Sequence, residues 1–199
     1  MSVLAVYLIA AFALFVGAYA TFRVIVRRDY LHRGQLTPFS ILLESLICGL
    51  YFNFPYTYAW SDWPALPALP ENTTLRITGL ILLMVGLAVG VAGMVGLGLR
   101  RLFGMEASAL KESGLYGISR NPQIVAFALA VIGCAVLWPS WYALGWVALY
   151  GLVFHMMVLT EEEYLRKLHG EAYARYCERV PRYVGYPYSR KESKDNGRS

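Results

Sequence analysis

A short segment that runs into an apolar stretch combines an arginine, an asparagine and a proline. It reads Gly114-Leu-Tyr-Gly-Ile-Ser-Arg-Asn-Pro-Gln123, and Pro122 stands where helices favour proline, in the first turn. Arg120 and Asn121 would therefore lie beside a helix N-terminus, where free backbone N–H groups and the helix dipole attract anionic groups. The segment predicts an anion-binding site. The structural alternative is an arginine that only ends the apolar stretch and contacts lipid phosphates.

Three consecutive acidic residues, at positions 161 to 163, follow another apolar stretch. In a chain with a formal net charge of +5, such a run indicates either a polar binding site or a role within the helix itself. In the second interpretation Thr160 and Glu163 form a capping box at a helix start. Two i,i+4 salt bridges then join Glu162 with Arg166 and Glu163 with Lys167. Glu161 has Leu165 four residues later and lacks such a partner.

Two titratable residues fall inside the apolar stretches themselves. Glu44 lies five residues into the second stretch, roughly 8 Å from its end at 1.5 Å per residue. His155 lies seven residues before Glu162, which places both on one helical face. Titratable groups in hydrocarbon are costly and usually face a polar interior. The alternatives are an ion pair of Glu44 with a loop arginine and a neutral His155 that is hydrogen-bonded within the packing.

The composition is that of a membrane protein. Of the 199 residues, 57% are apolar and only 16% are charged, against about 25% charged in soluble domains. The sequence contains no HExxH, GxxxxGK[ST] or GxSxG motif, which leaves metalloprotease, nucleotide hydrolase and serine hydrolase functions without support. The three cysteines are widely spaced and predict neither a disulfide framework nor a metal site.

Five apolar stretches are candidates to cross the roughly 30 Å of hydrocarbon in a bilayer: 3–22, 39–60, 75–99, 124–138 and 141–159. Only Pro139 and Ser140 separate the last two in a Trp-Pro-Ser-Trp string, which predicts a tight helical hairpin. In the third stretch, Gly86, Gly90 and Gly93 share a helical face. Small residues at this spacing favour close helix packing, and the alternative is a groove for a lipid chain.

The basic residues predict the orientation, because positively charged loops stay in the cytoplasm. Positions 23–38 and 100–123 each hold four Lys or Arg residues and the chain after 160 holds nine, whereas positions 61–74 and the hairpin tip hold none. The sequence therefore predicts an all-α, polytopic membrane helix bundle of about five transmembrane helices, with the N-terminus outside and a C-terminal cytoplasmic helix. We expect a single domain over residues 1–188 and a disordered polar tail over 189–199.

In its two polar segments the sequence resembles the integral-membrane methyltransferases of the isoprenylcysteine carboxyl methyltransferase and phospholipid methyltransferase superfamily. That family has a G-x-Y-x-x-x-R-H-P-x-Y segment entering a membrane helix, then a helical hairpin, then E-E-x-x-L-x-x-x-F-G-x-x-Y-x-x-Y followed by V-P-R. The corresponding residues here are Gly114, Tyr116, Arg120 and Pro122, then Glu161, Glu162, Leu165, Gly170, Tyr173, Tyr176 and Val180-Pro181-Arg182. The resemblance covers about residues 95 to 185.

The resemblance implies a membrane-embedded methyltransferase domain that binds S-adenosylmethionine, releases S-adenosylhomocysteine, and admits a lipophilic acceptor from the membrane. The cofactor-binding residues that it implies are Tyr116, Arg120, Asn121, Pro122, Glu161 and Glu162. Arginine or a helix N-terminus suits the cofactor's carboxylate, and carboxylates suit its ammonium and ribose. Glu44 and His155 are the candidate catalytic or acceptor-side residues. Asn121 and Ile124 stand where the family has histidine and tyrosine, and asparagine does not titrate near neutral pH.

The expected function is methyl transfer to a lipid amine, carboxylate or thiol at the cytoplasmic membrane face. We expect a membrane-borne lipophilic substrate and membrane lipids as partners, with no metal and no nucleic acid. One alternative is a non-catalytic scaffold that binds a lipid or a partner subunit, which the loss of histidine at position 121 suggests. Another is a membrane reductase related to the sterol reductases with a nicotinamide cofactor.

Overall fold

The computed structural model describes residues 2–57, 68–97, 110 and 112–185, and every regular element in these ranges is helical. The all-α prediction is therefore confirmed. The predicted tail over 189–199 lies outside the described residues, as do positions 61–67 and, within 100–123, the basic residues Arg100, Arg101 and Lys111.

The first 31-residue helix, Val3–Arg33, is continuous but changes its winding. It consists of α1 (Val3–Tyr19), a π-helical segment (Ala20–Val26) and α2 (Arg27–Arg33). Gly34 ends it with a φ of +70°, a conformation that glycine adopts without strain. Helix α3 (Pro38–Asn53) then begins with Thr37 as its N-cap and Pro38 in its first turn, and a short 3-10 helix (Phe54–Thr57) follows it.

The remaining helices are α4 (Thr73–Leu97), a 3-10 turn (Gly114–Gly117), α5 (Pro122–Leu137), α6 (Trp141–His169) and α7 (Glu171–Arg179). Helices α5 and α6 are separated by three residues, and Ser140 caps α6 by accepting a hydrogen bond from the Ala143 amide. The predicted tight hairpin at Pro139 and Ser140 is thus present.

Three helices are long and apolar enough to cross a membrane, namely Val3–Arg33, Thr73–Gly96 and Trp141–His169, while α3 and α5 are shorter apolar helices. The helices Val3–Arg33 and Trp141–His169 extend well beyond the apolar stretches predicted at 3–22 and 141–159. An apolar stretch marks the part of a helix that suits hydrocarbon, but nothing ends the helix where the polar residues begin. The number of spans stays a prediction.

Helix α6 packs against α1, the π-helical segment, α2 and α5, and its Trp146 ring stacks on Tyr51 of α3. Its residues Val153 and Val158 are fully buried together with Phe22 of the π-helical segment and Tyr51 of α3. The Tyr51 hydroxyl donates to the Trp146 carbonyl, and the Trp146 indole N–H donates back to the Tyr51 carbonyl. This reciprocal pair fixes α3 against α6 while satisfying both polar groups inside the core.

Helix α4 packs on α5 through the glycine face that the sequence predicts. A Cβ atom at Gly86 would lie 2.4 Å from the Ala130 backbone nitrogen, and one at Gly133 of α5 would lie 2.5 Å from that of Leu83. At Gly90 the Phe127 ring lies 3.0 Å from such a Cβ. The helix backbones are in direct contact, so α5 fills this face and the alternative of a lipid groove there is wrong.

Candidate functional site

An ion pair joins the two polar segments that the sequence singled out. Arg120 Nη1, beside the start of α5, lies 3.0 Å from Glu162 Oε1 on α6. The Arg120 side chain is 11% exposed and that of Glu162 only 6%. Arg182 binds the same carboxylate in a bidentate manner, with Nε 3.0 Å from Oε1 and Nη2 2.7 Å from Oε2. We call Arg120, Glu162 and Arg182 the ion cluster.

The segment after α7 holds the ion cluster in place. This C-terminal strap (residues 180–185) crosses the start of α5 and pairs with its backbone and side chains. The Arg120 amide donates to the Pro181 carbonyl at 2.9 Å, and Asn121 Nδ2 donates to the Arg182 carbonyl at 3.1 Å. Asn121 is 6% exposed, so its side chain ties the strap to α5 in this structure.

Tyr116 lies next to this junction, in the 3-10 turn that leads to α5. Its hydroxyl donates to Gln123 Oε1 at 2.9 Å, and its backbone carbonyl accepts a hydrogen bond from the Tyr176 hydroxyl at 2.7 Å. Burial raises the pKa of Tyr176 to about 12, although the charge of Arg120 opposes this shift. Pro122 occupies the first turn of α5, as predicted. The structure therefore places Tyr116, Arg120, Asn121 and Pro122 around one helix N-terminus.

The ion cluster carries a net positive charge, because two guanidinium groups face one carboxylate. The hydrogen bond to Glu162 raises the pKa of Arg182, so this guanidinium stays charged. Burial raises the pKa of Tyr183 and of Tyr173, and Glu162 adds to both shifts. These phenols are neutral at physiological pH. Arg120 Nε is buried without a hydrogen-bond partner in the described structure, which leaves one donor free for an anionic ligand.

Glu161 does not join the ion cluster. Successive helix residues point roughly 100° apart, and Glu161 is near enough to interact electrostatically with Glu44 on α3 and with Tyr30 on α2. Neither Glu161 nor Glu44 has a hydrogen bond or an ion pair within the described ranges. The alternative of an arginine partner for Glu44 therefore finds no support in this part of the chain. Glu44 of α3 and Glu161 of α6 are therefore close enough to influence each other's charge.

His155 lies on the same face of α6 as Glu162, as its spacing predicts. Its Nδ1 atom lies 2.8 Å from the Tyr183 hydroxyl of the C-terminal strap. The predicted alternative of a hydrogen-bonded histidine is consistent with this contact. The same contact ties α6 to the C-terminal strap.

The interpretation of the acidic residues 161–163 as a capping box and i,i+4 salt bridges within one helix is wrong. Helix α6 runs through Thr160 without interruption, so there is no helix start for a capping box. Glu163 pairs instead with Arg23 at 2.7 Å and with Arg27 at 2.5 Å. Lys167, the predicted partner of Glu163, donates to the Leu31 carbonyl. These contacts fasten the polar end of α6 to the first helix.

Sequence reasoning missed three residues of the site as contributors. Arg182 belongs to the Val-Pro-Arg string in the second segment, and that string was the signal that could have identified it. Cys177 accepts a contact from Arg120 Nη1 at 2.7 Å, and Tyr183 contacts His155. Neither carries a sequence signal, because the contact of Cys177 depends on how α7 packs and that of Tyr183 on the path of the strap. Among the residues that the structure describes, no group of three or more His, Cys, Asp or Glu could hold a metal ion.

Comparison with known proteins identifies the family. The phospholipid methyltransferase family matches residues 74–172, about half of the chain, including Arg120 and Glu162. No curated protein and no solved structure matches the chain. The match contains the hairpin of α5 and α6 and both members of the buried ion pair, in the order that the resemblance requires. This chain therefore belongs to the isoprenylcysteine carboxyl methyltransferase and phospholipid methyltransferase superfamily of membrane proteins.

Proposed function

We propose that this protein transfers a methyl group from S-adenosylmethionine to a lipophilic or amphipathic acceptor at the cytoplasmic face of the membrane. The observation that carries the proposal is the buried contact of Arg120 with Glu162, which joins the two segments of the family match at one end of the bundle. The basic-residue pattern supports a bundle with its N-terminus outside and its C-terminus in the cytoplasm. This orientation puts the ion cluster on the cytoplasmic side.

The residues at the start of α5 fit the cofactor's amino-acid part. Arg120 keeps a buried Nε atom without a partner, and the first turn of α5 supplies backbone N–H groups for a carboxylate. Arg182 adds a second positive charge, so an anionic group would balance the ion cluster. Glu161, which has no ion pair in the described ranges, is the carboxylate available for an ammonium group. Tyr116, Asn121, Pro122 and Glu162 would complete the binding shell.

S-adenosylmethionine supplies, when bound, an electrophilic methyl group on a sulfonium centre. The protein must hold the acceptor's nucleophilic atom in line with that methyl group and exclude water. A carboxylate or thiolate acceptor needs no further help from the chain. An ammonium acceptor must first lose a proton, and Glu44 and His155 are the candidate bases for this step.

The acceptor that best fits the site is a lipid amine. The Glu44 carboxyl group lacks a cationic partner in the described structure, and a protonated amine would supply one. The family match is to phospholipid methyltransferases, which supports a phospholipid as the lipid. Lipid carboxylates and thiols are the other candidate acceptors, and the transfer assay described next detects their methylated products as well.

A labelled-methyl transfer assay with total membrane lipids and product identification tests the proposal. We expect a labelled lipid with purified protein and much less of it with Arg120→Ala at the same, subsaturating S-adenosylmethionine concentration. Calorimetric titration of the detergent-solubilised protein with S-adenosylmethionine provides a second measurement that needs no acceptor. Absence of both binding and transfer would refute the proposal.

A second candidate function is a lipid-binding scaffold without catalysis. The observation that favours it is that both Glu162 oxygens are already ion-paired and that Asn121 is used to hold the C-terminal strap. A scaffold predicts no cofactor binding in the calorimetric experiment. The family match gives the reductase alternative no support.

A further inference from the structure

An apolar groove lies between α5, α6 and the C-terminal strap. Its volume is about 320 Å³, and its walls include Val125 and Ala128 of α5, Gly151 and Phe154 of α6, and Val184 of the strap. The polar groups on its wall include the His155–Tyr183 pair. The size is at the lower end of the range of ligand pockets, about 300 to 1,000 Å³.

The groove lies at a depth where hydrocarbon is available. Gly151 is ten residues after the start of α6 at Trp141, about 15 Å along the helix at 1.5 Å per residue. This is near the middle of a hydrocarbon layer of about 30 Å. Gly151 is exposed, and Val184 on the opposite wall is 80% exposed, so the groove opens on the surface of the bundle.

The strap wall of the groove leads towards the ion cluster. His155 and Glu162 share a face of α6, and Tyr183, which bonds to His155, directly follows Arg182. A lipid with its hydrocarbon chain in the groove would thus direct its polar headgroup towards the residues that we assign to the cofactor. At roughly 30 Å³ for each water-sized group, a volume of about 320 Å³ corresponds to about ten such groups.

We propose that this groove binds one hydrocarbon chain of the methyl acceptor and that the missing side chain at Gly151 keeps it open. The inference rests on the proposed function for the identity of the acceptor. A Cβ atom at Gly151 would meet no atom within 4 Å, so a larger side chain there enters open space. Gly151→Leu should fill the groove without displacing the helices.

The matched control is Gly49→Leu. Gly49 lies in α3, is exposed, and has no atom within 4 Å of its Cβ position. Both substitutions replace a helical glycine by leucine, so both gain the same helix propensity. Only the Gly151 variant changes the groove. Val184→Glu is a second variant, because it places a charge at an exposed position on the groove wall.

Two assays on the full-length protein in nanodiscs test the inference. In the first, phosphatidylethanolamine with a diazirine in one acyl chain is photolysed and the labelled peptides are mapped by mass spectrometry. We expect labels in residues 124–128 and 150–155, with about a fivefold loss in Gly151→Leu and Val184→Glu and none in Gly49→Leu. In the second, Gly151→Leu should raise the KM for dioleoyl phosphatidylethanolamine about fivefold or more, with unchanged kinetics for glycerophosphoethanolamine, which lacks chains.

The outcomes separate this inference from the proposed function. If the diazirine lipid labels the groove but no lipid is methylated, the proposed function fails, while the groove is still shown to bind a hydrocarbon chain. If phosphatidylethanolamine is methylated but labelling avoids the groove, or the KM of Gly151→Leu is unchanged, the groove assignment is overturned. Labelling that rises after removal of residues 186–199 would also overturn it, because the chain's own tail would then be the occupant. If Gly151→Leu fails to fold, Val184→Glu decides.

Discussion

Glu161 and Glu162 are adjacent in the sequence, but their carboxylates lie in different environments on α6. Glu162 accepts hydrogen bonds from Arg182 and pairs with Arg120. Glu161 has no ion pair in the described ranges and interacts with Glu44 across the interface with α3. A pair of acids that the resemblance treats as one feature therefore has two different surroundings, one with two arginines and one without an ion pair in the described ranges. Their substitutions should have separable effects.

The ion cluster should control cofactor affinity. We expect Glu162→Gln and Arg120→Ala each to weaken S-adenosylmethionine binding by about 1.5 to 3 kcal/mol, the usual contribution of a charged hydrogen bond. This corresponds to roughly a 10- to 150-fold rise in Kd. Calorimetric titration in detergent measures the affinity, and circular dichroism establishes that the helices remain.

Glu163→Gln is the control for this prediction. Glu163 is the next acid along α6, but it pairs with Arg23 and Arg27 of the first helix. We expect it to lower the thermal stability while leaving the Kd within about twofold. An equal loss of affinity in Glu163→Gln would mean that the acids act through the general stability of α6, which would contradict a binding role for Glu162.

Glu44 should act on the acceptor and not on the cofactor. We expect Glu44→Gln to reduce methyl transfer while the Kd for S-adenosylmethionine stays within about twofold. If Glu44 accepts the proton of an amine acceptor, the rate of the unaltered enzyme rises with pH through a single ionisation that the Gln variant lacks. Full activity together with poor folding of Glu44→Gln would assign the residue to structure.

The sequence predicts the helices and the location of the site better than it predicts which charged residues form ion pairs there. Apolar length and basic loops identify the helical bundle, and the Arg-Asn-Pro segment correctly predicts a helix start at Pro122. The alternative of i,i+4 partners for Glu162 and Glu163 is wrong, because that spacing considers one helix alone. In the structure their arginines come from the segment just before α5, the first helix and the C-terminal strap.

The groove at Gly151 could not be predicted for a related reason. It exists because Val184 and Tyr183 of the C-terminal strap form one wall, and the path of the strap depends on backbone hydrogen bonds such as that of Arg120 with Pro181. Backbone pairing outside regular helices carries little sequence signal. By contrast, the glycine face of α4 is a periodic pattern, and its packing role was predicted correctly.

That packing makes a sharp prediction within α4. Gly86→Ala should destabilise the protein, because its Cβ would lie 2.4 Å from the Ala130 backbone nitrogen, and backbone cannot move aside cheaply. Overpacking of this kind typically costs about 1 to 3 kcal/mol. Gly93→Ala is the control on the same face, where the nearest atom, Gln123 Cβ, lies at an ordinary 3.6 Å. Thermal unfolding in detergent compares the two, and equal melting temperatures would contradict the close packing.

Labelling of introduced cysteines tests the orientation. With the three native cysteines replaced, Ala68→Cys should react with an impermeant maleimide added outside the cell, and Ser193→Cys only after permeabilisation. The reason is that positions 61–74 carry no Lys or Arg while the chain after 160 carries nine, and basic segments stay in the cytoplasm. Labelling of both positions from the same side would contradict the five-span arrangement.

Asn121→His restores the family's residue at the start of α5. Asn121 donates to the Arg182 carbonyl, and an imidazole N–H can donate in the same way, so we expect the Kd for S-adenosylmethionine to stay within about twofold. Histidine normally titrates near pH 6.5, so the pH–rate profile should gain an ionisation between about pH 5 and 8 if the ring lies next to the reacting groups.

The control is Asn121→Ala, which removes the hydrogen bond to the strap and should lower stability by about 0.5 to 1.5 kcal/mol. An Asn121→His enzyme with an unchanged pH profile but normal activity would show that position 121 only holds the strap.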